Sequence, residues 1–394
     1  LRLGINQHRN GESVSDKTSS SNTEGVDHAL SDEDGRSRVR DKPATIYDVA
    51  ELANVSIKTV SKVVNNLPQV SLATRQRVME AVETLSYRPN QLARGLASSR
   101  SFMLGLFCDA PAAGSGYIAR IQMAVLTMCH NEGYHLVVEC IHASNQQIGR
   151  QVDALMSQSK LAGVILTPPL SDLPALVEAL KRTETPIVRF SPGKPLDGVI
   201  DVDIDNAQAA FDMTSYLIGL GHKRIGFVRG PLEHADSALR FAGYRKALAA
   251  ADIDFDEDLC ATGNYTYKTG MQAGEQLLSL SPRPTAIFAS NDDMAAGVMA
   301  ASLRFHLRIP QDLSVAGFDD AIIAHAMSPR LTTCRQPIGE MAEAAFAALI
   351  RQNEPRVGTF HLPHKIILRG STAAPGMAGS DSAETDPVTR AGEF

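Results

Sequence analysis

The sequence predicts an α/β protein preceded by a small all-helical head, and three observations carry that prediction. Residues 44–88 hold three short apolar patterns of helical period and no strand. From 102 onward, short β-branched or apolar runs alternate with helical stretches, the order that builds parallel sheets with helices on both faces. The flanks, 1–43 and 373–394, are nearly all polar or small, with runs such as Thr18-Ser19-Ser20-Ser21 and Asp32-Glu33-Asp34, too poor in apolar surface to offset chain entropy; they are expected to be disordered.

In the head, Ile46, Val49, Ala50 and Ala53 follow the i, i+3, i+4, i+7 stripe of a first helix. Asn54-Val55 then suits a sharp turn, because Asn tolerates a left-handed backbone. Ser56 suits the cap of a second helix running to about Asn65, with Val60, Val63 and Val64 inward. A third starts at Ser71 and buries Val78, Ala81, Val82 and Leu85. The small Ala50 lets the second helix cross the first closely, the packing of a helix-turn-helix. That leaves Ile57, Lys58, Ser61 and Lys62 outward. Over 44–100, seven cations (Lys58, Lys62, Arg75, Arg77, Arg88, Arg94, Arg100) face four acids, a local excess where phosphates would lie. A structural three-helix bundle with merely solvated lysines is the alternative reading of the same pattern.

The segment Pro89 to Ser98 is helix-compatible but too short to be stable alone, and Gly95 weakens it further. Residues 89–101 therefore read as a hinge that DNA could order. Beyond it, expected strands are Leu104–Cys108, His135–Cys140, Gly163–Thr167, Ile187–Phe190, Ile225–Val228, Ala286–Ala289 and Leu313–Phe318. Helical patterns lie near 117–132, 145–158, 206–220, 237–251, 268–280, 291–305 and 338–352. Ligands in such folds bind beyond the carboxyl ends of the strands. Asp109, Asn291-Asp292 and Asp319-Asp320 fall directly after strands, and Arg240 sits early in a helix after Gly230-Pro231. Arg, Asp and Asn together suit sugar hydroxyls, and Tyr265 could stack on a sugar ring. Helix capping is the competing role, above all for Asp292 and Asp320.

Composition narrows the classes. The 394 residues suit two or three domains; 44 % are hydrophobic, tryptophan is absent, and the core must be mostly aliphatic. A net charge of −6 argues against a wholly basic nucleic-acid coat but leaves room for a basic module. Five scattered cysteines without a C-x-x-C pair read as free thiols, with no metal site and no cofactor expected. No apolar run reaches membrane-span length, and the polar start, at Leu1, lacks the order of a secretory leader, so a cytoplasmic protein is expected. No nucleophile–base pair marks an enzyme. Gly114-Ser115-Gly116-Tyr117-Ile118-Ala119 fits a loose G-x-G-x-x-A pattern with Glu139 further on, but Asp109 to Ala113 separates it from the strand end, so a cleft loop is expected instead of a dinucleotide site.

Specific runs then carry a resemblance. Ala44-Thr45-Ile46-Tyr47-Asp48-Val49-Ala50, the run Val55 to Asn65, Val70-Ser71 with Thr74-Arg75, and Tyr87-Arg88-Pro89-Asn90 resemble the headpiece of the LacI/GalR family. The similarity continues to about residue 372. It implies a helix-turn-helix headpiece over 44–88 and a two-lobed, periplasmic-binding-protein-like sensor and dimerisation domain over 102–372. It assigns base contact to Ile57, Lys58 and Lys62 and phosphate anchoring to Tyr47, Ser56, Thr59, Ser61, Asn65, Ser71 and Thr74. Many members carry Arg where Lys62 stands, and lysine lacks the planar two-pronged contact to guanine. In the hinge the resemblance implies minor-groove contact by Asn90, Ala93, Leu96 and Ala97, with Leu96 as the wedge. Arg240, Asn291 and Asp319 match its most typical effector contacts; Asp109, Ser171, Asp236, Tyr265 and Gln336 match more variable ones, and Ser171 replaces an acid. The implied function is a repressor of carbohydrate-utilisation genes that binds an inverted-repeat operator in double-stranded DNA as a homodimer and answers to a small sugar or sugar derivative. Without a leucine-heptad tail, a dimer is expected over a tetramer. A free-standing sugar-binding protein would share the sensor but have no use for 44–98.

Overall fold

The computed structural model describes residues 44–64, 67–87, 101–110, 115–350 and 358–376. The expected leader, Asn65, and the hinge residues Asn90, Ala93, Leu96 and Ala97 lie outside these. The chain divides into two compact units, Leu1–Pro89 and Asn90–Phe394.

In the first unit, α1 (Ile46–Leu52), α2 (Ile57–Val64) and α3 (Leu72–Thr84) enclose a core of Val49, Ala50, Ala53, Val60, Val63, Val78 and Ala81. The Asp48 carboxylate accepts from the Thr45 N–H and hydroxyl, both at 2.7 Å, and so secures the start of α1. Asn54 adopts φ 49°, the left-handed turn its side chain permits. Ser56 accepts from the Thr59 N–H at 3.2 Å, and Ser71 from the Thr74 N–H at 3.3 Å, capping α2 and α3.

The second unit holds two sheets. The first is built from β1 (Met103–Asp109), β2 (His135–Ile141), β3 (Gly163–Leu166), β4 (Ile187–Phe190), β5 (Ile200–Asp203) and β11 (Gly358–His361), all parallel, in the order β2-β1-β3-β4-β5-β11. The second repeats the plan with β6 (Ile225–Arg229), β7 (Cys260–Thr262), β8 (Ala286–Ala289), β9 (Ser314–Asp319), β10 (Thr332–Arg335) and β12 (Lys365–Ile367), in the order β7-β6-β8-β9-β10-β12, where only β12 runs antiparallel. Alternation along β1 splits its side chains between two cores. Leu104 and Leu106 meet α4 (Gly116–Glu132) and α12 (Ile338–Ile350), whereas Phe107 meets α5 (Ile148–Gln158) and α6 (Pro174–Lys181). In the second sheet, Phe227 and Phe288 face α7 (Asn206–Gly219) and α8 (Ala235–Ala250); Val228 and Ile287 face α9 (Tyr267–Leu278) and α10 (Asp292–Arg304). A short α11 (Ile322–Ala326) follows β9.

The chain passes between the sheets three times, after β5, at Gln336-Pro337 before α12, and between β11 and β12. Two lobes result. In each, the first strand of its half (β1 or β6) lies between neighbours whose connections run to opposite sides, and carboxyl ends of such strands leave a crevice for ligand.

All seven expected strands are present; five more were not anticipated. In β5 the alternation Ile200-Asp201-Val202-Asp203 conceals a buried ion pair: Arg189 grips Asp201 through Nε and Nη2, each at 2.8 Å. The polar run Thr332-Thr333-Cys334-Arg335 forms β10 because Thr332 and Thr333 find buried partners in Arg369 O and Asp292. One boundary is corrected. Order was expected to end at 372, yet Ala373 is held by the Ser314 hydroxyl on both its N–H and its carbonyl, at 3.0 Å each, and its carbonyl also accepts from His222 Nε2.

Candidate DNA interface and effector cleft

On α2, the apolar face is spent on the headpiece core, and Ile57 (40 % exposed) and Lys58 lie outward with Lys62 half-buried beside them. Tyr47 is 68 % exposed on α1. Ser56, Thr59, Ser71 and Thr74 lie at the starts of α2 and α3, where the helix dipoles favour a phosphate oxygen. Their hydroxyls already bond in pairs, Ser56 to Thr59 and Ser71 to Thr74, both at 2.9 Å. Ser61 is half-buried on the same helix as Lys62. Lys62 Nζ donates to Gln69 Oε1 at 3.3 Å, a contact DNA would have to replace. Arg75 pins the segment after α2 by donating to Leu67 O at 2.9 Å.

Between the lobes lies a cleft of about 490 Å³. Asp109, Asp236, Arg240, Tyr265, Asn291 and Asp319, all expected from sequence, line it together. Arg240 is 3 % exposed and organises one wall. Its Nε donates to Asn206 Oδ1 at 2.9 Å and its Nη1 to Ser290 O at 2.6 Å, while the guanidinium stacks 3.7 Å from the centre of the Phe318 ring. Asp236 Oδ2 stands 3.4 Å from Arg240 Nη2 and accepts from the Tyr265 hydroxyl at 3.2 Å. Asp109 Oδ1 accepts from the Ala143 N–H at 2.8 Å. Tyr265 takes φ 65°, and Asp319 takes φ 106°, so both side chains reach the cleft from backbone held in the left-handed region. Burial pushes the Asp319 carboxyl up to about 7, against the opposing pull of Arg240. Burial likewise raises the Tyr265 phenol and the Tyr117 phenol.

Two expected contacts are placed elsewhere. Ser171 is fully buried beside the Arg189–Asp201 pair, its carbonyl accepting from Arg189 Nη1 at 3.2 Å. Gln336 sits at a lobe crossover behind Asp319, donating from Nε2 to Asp319 Oδ1 at 2.8 Å. Neither lines the cleft. Asn291 does, but it also caps α10 by accepting from the Met294 N–H at 3.0 Å, and its Nδ2 is given to Tyr265 O. The capping role suggested for Asp292 and Asp320 is not what they do. Asp292 accepts from the Ala321 N–H and the Thr333 hydroxyl; Asp320 binds Arg335 and Arg369. Tyr117, His234 and Asp293 line the cleft without having been anticipated. Position after a strand could have flagged His234 and Asp293, whereas Tyr117 follows a loop whose course no periodicity reveals. Among the described residues no group of acidic, His or Cys side chains is placed to hold a metal ion, and no helix is long and apolar enough to cross a membrane.

A headpiece of this kind joined to a two-lobed cleft defines a DNA-binding regulator with a ligand-sensing module. Family models agree: residues 45–90 match the bacterial regulatory proteins of the lacI family, and 214–372 match a periplasmic binding protein-like domain. Catabolite control protein A of Priestia megaterium is 34 % identical over 340 residues, covering 83 % of this chain and 99 % of that protein. The ribose operon repressor of Escherichia coli K12 is 36 % identical over 310 residues, covering 78 % and 93 %. Among solved structures, the lac repressor dimer bound to operator and the anti-inducer ONPF superposes with a TM-score of 0.69 at 29 % identity, covering 84 % of this chain and all of that one. The chain belongs to the LacI family of transcription regulators.

Proposed function

We propose that this regulator is a repressor of carbohydrate-utilisation genes, a homodimer that grips an inverted-repeat operator and whose grip depends on a neutral sugar in the lobe cleft. The outward face of α2 carries the DNA reading: a helix whose valines are committed to the core presents Ile57, Lys58 and Lys62 to a major groove. Tyr47, Ser56, Thr59, Ser61, Asn65, Ser71 and Thr74 anchor phosphates around it. Asn90, Ala93, Leu96 and Ala97 enter the minor groove, with Leu96 as the wedge.

The effector class follows from charge. Asp109, Asp236, Asp293 and Asp319 line the cleft with one guanidinium, that of Arg240, which is already engaged by Asn206, Ser290 and the nearby Asp236. Carboxylates accept from sugar hydroxyls and repel a phosphate ester, so an unphosphorylated sugar suits the cleft. The cleft volume is of the size that encloses a small ligand. Related chains have been solved with cellobiose and with operator DNA, in keeping with both halves of this reading. Replacing Lys62 by Ala tests the DNA face: specific affinity for the operator should fall by about fivefold or more, the roughly 1–3 kcal/mol of a base contact. Unchanged affinity in a fluorescence-anisotropy titration would remove α2 from the interface.

A further inference from the structure

The lobes touch through more than their three crossovers. At the start of α4, in the first lobe, the main chain at Gly116 packs against the Asp293 carboxylate of the second, whose Oδ2 would lie 3.8 Å from a Cβ on that glycine. Approach there is close: a Cβ on Gly116 would lie 3.0 Å from the Ala321 Cβ. One turn further, Arg120 Nη1 donates to the main-chain carbonyls of Asp319, at 2.5 Å, and of Asp320, at 2.9 Å. These acceptors belong to consecutive residues at φ 106° and 55°, a pair of left-handed conformations that needs support from its surroundings. The Asp320 carboxylate is taken by Arg335 and Arg369, so the backbone is what remains for Arg120 to hold. Asp319, whose carboxyl lines the cleft, is therefore tied to the opposite lobe through its own carbonyl.

We propose that Arg120 and Asp293 form a latch that keeps the cleft closed in the ligand-free protein, with Arg120 acting as a positioning residue for Asp319. Both contacts are made by the chain itself, so the closure they favour adds to whatever a ligand contributes. A ligand selecting the closed state then meets it already populated, and its apparent affinity is raised accordingly. That consequence rests on the sugar-cleft reading above; the latch does not.

Hydrogen–deuterium exchange on the full-length protein without sugar tests it. Arg120→Met keeps the apolar stem and removes the donors; Asp293→Ala cuts the other contact independently. In both, exchange should rise about tenfold on the two cleft faces, in 115–119 of the first lobe and 263–267 of the second, while β8 stays protected. Arg120→Lys, which keeps a cation, should fall between. A rise confined to 319–321, or none in either variant, overturns the latch. Should Arg120→Met also lose protection in β8, Asp293→Ala decides by the same criterion. The sugar reading fails separately: D-ribose, D-glucose and cellobiose would then leave wild-type exchange unchanged while both variants still opened.

Discussion

Asp319 concentrates the chemistry of the cleft. It ends β9, faces Arg240 Nη1 at 3.9 Å, receives Gln336 Nε2, and has its pKa pushed up to about 7, chiefly by burial. A carboxyl whose pKa is higher folded than unfolded supports the fold when protonated. Its contribution is complete below about pH 4 and is lost as the pH rises through 7. Asp319→Asn removes that dependence, so between pH 5 and pH 8 the wild type should lose melting temperature relative to the variant. Parallel profiles for the two proteins would show that Asp319 titrates normally. Legibility at this scale followed chemistry. Arg240 and Asp319, expected as effector contacts, both line the cleft, although position after a strand was equally compatible with helix capping. Ser171 and Gln336 were expected from the resemblance alone; the main-chain carbonyl of Ser171 accepts from the buried Arg189, and Gln336 lies behind Asp319.

Elements place these residues by close packing. Asn206 opens α7 and accepts from Arg240 on α8, so the crossing of those helices sets the guanidinium. Gly243 permits it: a Cβ there would lie 2.0 Å from Ala207 O and 2.9 Å from Phe211 N. Gly243→Ala should therefore destabilise the sensor by about 1–3 kcal/mol, the usual range for overpacking, and weaken effector binding, as calorimetry and denaturant titration would report. A neutral substitution would mean that the helices can part without moving Arg240. Periodicity found the long elements because one buried face suffices to reveal them. It missed β5 and β10, where Asp201, Thr332 and Thr333 are buried polar residues paid for by partners distant in sequence. Such partners leave no local trace.

For the whole molecule, the proposed regulation requires that cleft and headpiece communicate through the expected hinge, residues 89–101. The hinge reading predicts that Leu96→Ser weakens operator binding by at least tenfold while calorimetric sugar affinity stays within about twofold. Equal operator affinity would refute the wedge. An effector can change operator affinity only by as much as its own affinity differs between the bound and released forms, commonly 5–150-fold. The most direct measurement is operator affinity by fluorescence anisotropy on a selected palindromic site and on random DNA, with and without the unphosphorylated sugar that most raises the melting temperature. A preference for the palindrome of about a thousandfold or more, changed at least fivefold by that sugar and unchanged by its phosphate ester, is the expected result. Equal binding to both duplexes, or a palindrome affinity that ignores the sugar, would contradict it.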